Sequence, residues 1–122
     1  MSAAIEIAPA YHAHIYFDAS SRDKAWSLRE RISLEFADVE VGRFHEKNVG
    51  PHPRWSCQVK FSLELFSAFV PWLMLNRDGL TIFLHPLTDD ALADHDQSPL
   101  WMGEMLPLDL SLFIEKKSAG KI

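Results

Sequence analysis

The sequence is short of several things, and each shortage excludes a class of protein. It has a single cysteine, Cys57, in 122 residues, so no intrachain disulfide can staple it. The segment from Met1 to Ala10 has no basic stretch and carries Glu6. It therefore does not read as a secretory leader, and a reducing, cytoplasmic setting is expected. Positive charge is outweighed: 12 Lys and Arg stand against 17 Asp and Glu, a formal net charge of -5. A general nucleic-acid binder would need a basic face, so nucleic acid is not expected as a partner. There is no long hydrophobic run. The longest, Phe66 to Leu75, is interrupted by Ser67 and is too short to span a bilayer, so no membrane partner is expected. Internal repeats, low-complexity tracts and linkers are absent, and a single domain over residues 1–122 is expected.

What remains is an ordinary soluble composition, 48% apolar and 24% charged. A chain of this length buries roughly two-thirds of its unfolded surface, enough for one core. Tyr11 to Phe17 alternates: Tyr11, Ala13, Ile15 and Phe17 fall on one face, and His12, His14 and Tyr16 on the other, which is the period of a half-buried strand. Ser20 offers an N-cap for a helix over Ser21–Phe36, with Asp23 in its first turn and Ala25, Leu28, Ile32 and Phe36 at helical spacing. Val39–His45 reads as a second strand. The polar loop Glu46–Pro53 follows, marked by Gly50-Pro51-His52-Pro53. Trp55, Cys57, Val59 and Phe61 alternate in a third strand. Ser62 can cap a second helix with an apolar stripe through Leu73. Pro71 should kink or break it near Val70, and Gly79 should end it. Leu80–Pro86 is a fourth strand. The order strand, helix, strand, strand, helix, strand gives an α+β, ferredoxin-like βαββαβ sandwich. A C-terminal extension follows. The segment Leu87–Met105 has no clear period, and Leu106, Leu108, Leu110 and Leu112 alternate as a further terminal strand.

The six histidines carry most of the chemical information. In this topology both helices cover one sheet face, so His12, His14 and Tyr16 project from the other. Strand four, antiparallel to strand one, adds Thr81, Phe83 and His85 to that same uncovered face and sets His85 beside His12. Converging neutral imidazoles can bind a divalent metal, and imidazole titrates near neutral pH and can carry protons. A two-His, one-carboxylate iron site would need an acid, for which Glu46, Asp94 and Glu104 are available. The plainer alternatives are that His45 and His52, flanking a turn, are surface residues, and that the uncovered face simply packs against a second subunit.

At these residues the sequence resembles the DOPA 4,5-dioxygenase-like family. The resemblance runs through YHAHIYFD (Tyr11–Asp18), GRFHEKNVGPHPRW (Gly42–Trp55), VPWLMLNRDGL (Val70–Leu80), HPLTDDALADH (His85–His95) and PLWMGEMLPLDL (Pro99–Leu110), in order over nearly the whole chain. It implies a ferredoxin-like fold and an extradiol ring-cleaving dioxygenase acting with O2 on a catechol such as DOPA. It also makes the stretch from His85-Pro86 to Asp94-His95 part of the site. The expected assignment is then a divalent metal, Fe(II), on His12, His14 and His85. His45, His95 and His52 are the catalytic candidates for proton transfer. Arg43, Lys47 or Arg54 would hold a substrate carboxylate, and Tyr16, Gln58 and Trp101 would line the pocket. A homodimer is expected from the uncovered face and the terminal strand. Two other readings share the histidine cluster: a metal-dependent enzyme that does not use O2, and a non-catalytic dimeric binding module.

Overall fold

The computed structural model describes residues 7–119. Its elements are β1 (Ala10–Phe17), α1 (Arg22–Glu35), β2 (Glu40–His45), β3 (Trp55–Ser62), a 3-10 turn (Leu63–Leu65), α2 (Phe66–Asn76), β4 (Thr81–Pro86), α3 (Ala91–Asp96), β5 (Leu100–Met102) and α4 (Ser111–Ala119). The strands form one antiparallel sheet in the order β2-β3-β1-β4-β5. The first four strands and two long helices are the ferredoxin-like sandwich, and β5 extends it beside β4. Among the described residues no helix is long and apolar enough to cross a membrane.

The alternation in β1 divides the molecule. Ala13, Ile15 and Phe17 face α1 and α2, where they join Ala25, Leu28, Ile32, Phe69, Val70 and Leu73 with Cys57, Val59, Phe61, Ile82 and Leu84 in the main core. The register places His12 opposite His85 and His14 opposite Phe83, as antiparallel pairing requires. The second face is not bare. Tyr16 and Phe83 pack there against Leu106, with Trp101 and Leu108 beside them.

Three local expectations are corrected. The turn into α1 is tied by Asp18, whose Oδ1 accepts hydrogen bonds from Ser20 N (2.9 Å), Ser20 Oγ (2.6 Å) and Ser21 N (3.1 Å). Ser21, not Ser20, is the N-cap residue, and it makes no side-chain cap bond. The second helix runs through Pro71 without a break. Pro71 and Ser67, whose carbonyl loses its usual partner, are both exposed, so water can take the place of the missing bond. The further strand is Leu100–Met102, whereas Leu106–Leu110 pairs with no strand among the described residues and Ser111 begins α4. Period-two burial in Leu106 and Leu108 arises because an extended chain lies across the sheet face, burying alternate side chains against Tyr16 and Phe83. Pro107 lacks the N–H that a ladder would use. Gly79 meets the expectation: it follows the end of α2 at φ 76°, a conformation that favours glycine.

The edge strand β2 depends on a different glycine. Its pairing with β3 shifts register between Val41 and Phe44, and a Cβ built on Gly42 would lie 2.8 Å from the Gln58 carbonyl oxygen. Gly42→Ala should therefore cost about 1–3 kcal/mol through forced displacement of backbone, read as a lowered urea midpoint at unchanged slope.

Candidate metal centre

Each imidazole of the second face is placed by a distinct element. His12 and His14 are two residues apart on β1, and His85 sits opposite His12 on β4. The ligand atoms of His12, His14 and His85 lie within 4.8 Å of one another, a group able to hold a metal ion. His14 and His85 are 3% and 1% exposed. Their Nε2 atoms are 3.1 Å apart, and their rings stack with centroids separated by 5.1 Å.

The hydrogen bonds fix tautomers. His85 Nδ1 lies 2.8 Å from the Pro86 carbonyl oxygen. A carbonyl only accepts, so Nδ1 carries the proton and donates, leaving a lone pair on Nε2. An orienting bond from the far nitrogen to a carbonyl is the usual support for a metal-ligating histidine. With the lone pair on His85 Nε2, the His14 Nε2–H is the donor between the two rings. An ion between them would replace that proton bridge, with His14 moving its proton to Nδ1.

Two more histidines complete the group. The turn Val49–His52 is closed by His52 N donating to Val49 O (3.1 Å), and Pro51 O accepts from Asp109 N (2.8 Å). This folds the loop and the C-terminal segment over the sheet and lays His52 on His14, with centroids 4.2 Å apart. His95 comes from α3, with its ring 4.0 Å from that of His85 and 4.3 Å from Phe113. A cavity of about 400 Å³ opens among them, walled also by Val49, Gln58, Leu87, Thr88 and Phe113. The face expected to be uncovered, and offered as a dimer surface, is thus covered by the chain's own loop, α3 and C-terminal segment.

Burial dominates the electrostatics. Desolvation first, then the neighbouring imidazoles, pushes His85 down to about 3 and His52 down to about 4. His12 is lowered to about 4 by burial and then by Lys60, and His14 and His95 are also lowered, burial again leading. All five are neutral at pH 7, the form that binds metal.

The three carboxylates expected to complete an iron site are engaged elsewhere. Glu46 pairs with Arg22 and Glu104 with Arg54. Asp94 is buried in the cavity wall, but its two oxygens accept from Thr88 N (2.8 Å) and Thr88 Oγ1 (2.5 Å). It ties the β4–α3 connection and so sets α3, which carries His95. Asp94→Ala should cost about 1–3 kcal/mol by leaving the Thr88 N–H without a partner. It should leave the affinity of the three-histidine group for divalent ions unchanged, as titration of ion into the variant would show. The donor set on this face is three neutral imidazoles, which suits a first-row transition ion.

Of the residues expected at the site, His12, His14, His52, His85, His95 and Gln58 line the cavity. The others are outside its lining. His45 ends β2, opposite Ser56. Arg43 is exposed, and Arg54 borders a separate polar recess with Tyr16 and Lys24. Tyr16 is 1% exposed and lies behind His52, its hydroxyl 2.6 Å from His52 Nδ1. Trp101 pairs with Phe83 across β4–β5 and stacks on it at 4.5 Å. Phe113 and Thr88 were not anticipated as cavity walls. The Leu106–Leu112 alternation was the only signal that this end of the chain is partly buried.

Residues 11–112 match the Dopa 4,5-dioxygenase family. The chain belongs to that family. It is 33% identical over 109 residues to DOPA 4,5-dioxygenase of Amanita muscaria, and 42% identical over 114 residues to an uncharacterized 21.2 kDa protein of Botryotinia fuckeliana. These matches take in 83% and 84% of this chain but 48% and 62% of those proteins, so it spans about half to three-fifths of their length. A crystal structure from Nostoc punctiforme, described as that of a candidate dioxygenase, superposes with a TM-score of 0.84 at 46% identity, covering 89% of this chain and 93% of that one. The span that matches the family, residues 11–112, contains all five cavity histidines, His12, His14, His52, His85 and His95.

Proposed function

We propose that this protein is a dioxygenase that cleaves the ring of a catechol, DOPA or a simpler relative, in the extradiol manner, with Fe(II) held by His12, His14 and His85. The observation that carries this reading is the convergence of three neutral imidazoles on the wall of a cavity of about 400 Å³, in a chain of the Dopa 4,5-dioxygenase family. Bound there, the ion would supply the redox and Lewis-acid chemistry that lets a diol and O2 react. The chain's own residues do the rest. His85 is aimed by the Pro86 carbonyl. Val49, Leu87 and Phe113 give the cavity apolar walls suited to one aromatic ring. His95 donates from Nδ1 to the Ala91 carbonyl at 2.7 Å, so its Nε2 lone pair is free to take a proton from a diol hydroxyl and return it later. Gln58, exposed on β3, offers its amide at the rim.

Anaerobically Fe(II)-loaded protein should consume O2 in proportion to added catechol and form a yellow, ring-opened product. A three-histidine set with no carboxylate also suits zinc-dependent hydrolytic chemistry. Turnover of other substrates without O2 uptake, by a metal-loaded protein inert to catechols, would select that reading instead.

A further inference from the structure

The proposed reaction uses four of the five cavity histidines and leaves His52 without a task. We propose that Tyr16 is a positioning residue that holds His52 in the tautomer with its proton on Nε2, making His52 the hydrogen-bond donor to an anionic substrate oxygen and leaving His95 as the acceptor. This rests on the ring-cleavage reading for its substrate, but not for its geometry.

The Tyr16 hydroxyl is buried and has one partner within hydrogen-bonding distance among the described residues, His52 Nδ1 at 2.6 Å. A buried hydroxyl hydrogen without an acceptor is costly. If His52 Nδ1 carried the proton, the phenolic hydrogen would have nowhere to go. The hydroxyl therefore donates to Nδ1, and the ring proton resides on Nε2. Among the described residues no buried side-chain nitrogen or oxygen lacks a partner. His52 Nε2 has no hydrogen-bond partner among the described residues, so it opens onto the cavity that His52 lines. His95 is set the opposite way, because the Ala91 carbonyl can only accept and so keeps the His95 proton on Nδ1. Two histidines flanking the same three-imidazole group are thus locked in opposite polarity, one presenting N–H and the other a lone pair. Tyr16 itself cannot reach substrate. It packs between His52 and Trp101, with ring centroids 5.4 and 6.1 Å away, and acts only through His52.

The test begins with the metal-free wild-type protein. Long-range proton–nitrogen NMR of the imidazoles should show the His52 proton on Nε2 and the His95 proton on Nδ1. A His52 proton on Nδ1 overturns the proposal. In Tyr16→Phe, which keeps the ring and loses the hydroxyl, the His52 signals should move to a tautomer mixture. In the Fe(II)-loaded variant kcat should fall about 10–100-fold, the usual effect of removing an outer-shell partner, with KM and metal affinity unchanged. His52→Gln, which keeps an N–H near the Nε2 position, should retain more turnover than His52→Leu. A loss of kcat in Tyr16→Phe without a tautomer change would show a merely structural role and overturn the proposal, as would full activity. If the wild type never consumes O2 with any catechol, the ring-cleavage reading fails, and the tautomer measurement still decides the Tyr16–His52 pairing by itself.

Discussion

His85→Ala is expected to lose turnover entirely and to bind Fe(II) more weakly by well over the roughly 10–100-fold typical of a lost outer-shell partner, because it removes a proposed ligand. The residue is 1% exposed, sits opposite His12 in the sheet register and is oriented through Nδ1. None of the three carboxylates considered is free to replace it: Asp94 is committed to Thr88, Glu46 to Arg22 and Glu104 to Arg54. The truncation leaves a small cavity on the face away from the main core, so the fold should persist. His45→Ala is the control, since His45 lies outside the cavity lining; it should keep both metal affinity and turnover. Titration of metal into both variants, followed by O2 uptake, separates the outcomes. Equal metal affinity in His85→Ala and wild type would remove His85 from the ligand set.

The metal-free protein should be sharply acid-labile. Burial lowers His52 to about 4 and His85 to about 3, from 6.5. Both depressed values mean that the unfolded chain takes up protons below about pH 6.5 while the folded chain stays neutral until about pH 4. Their burial as neutral groups therefore costs nothing above pH 7 and becomes progressively unfavourable as pH falls from about 6.5 to about 4. By pH 4 each costs on the order of 3 kcal/mol, about 6 kcal/mol for the pair. Stability of a domain this size is about 5–15 kcal/mol in total, so a large share of it would be gone. His12 and His14 shift in the same direction and add to the effect. Urea unfolding of chelator-treated protein between pH 7 and pH 4 should show the midpoint collapsing across this window. Saturating divalent ion should raise the midpoint at pH 7 by mass action. A midpoint flat from pH 7 to pH 4 would mean that these imidazoles are not buried as a neutral cluster.

The sheet face that carries the site was legible because two periodicities agree. Strand alternation in Tyr11–Phe17 puts His12 and His14 opposite the helix face, and antiparallel pairing then fixes His85 beside His12. Neither inference needs a side-chain contact. What covers the face was not legible, because it is made by segments without a period. The Glu46–Pro53 loop reads as polar turn, and nothing in its composition shows that Pro51 bonds to Asp109 or that His52 lies on His14. The Leu106–Leu110 alternation correctly reported half-burial but not its cause, since a chain crossing a sheet face buries alternate residues as an added strand does. Arg43 and Arg54 were singled out for charge alone, and charge does not reveal that Arg54 is taken by Glu104. His95 was reached only through the family resemblance. The six-residue helix that carries it is held by side-chain bonds, Asp94 to Thr88 and the Asp90 cap on Ala93 N at 3.1 Å, rather than by an apolar stripe.

The decisive experiment is mass spectrometry of the product formed by Fe(II)-loaded protein from a catechol under isotopically heavy dioxygen. Ring cleavage at the three-histidine group predicts one ring-opened product with both heavy oxygen atoms incorporated, formed by the wild type and absent with His85→Ala. A product without heavy oxygen, or the same labelled product from His85→Ala, would contradict it.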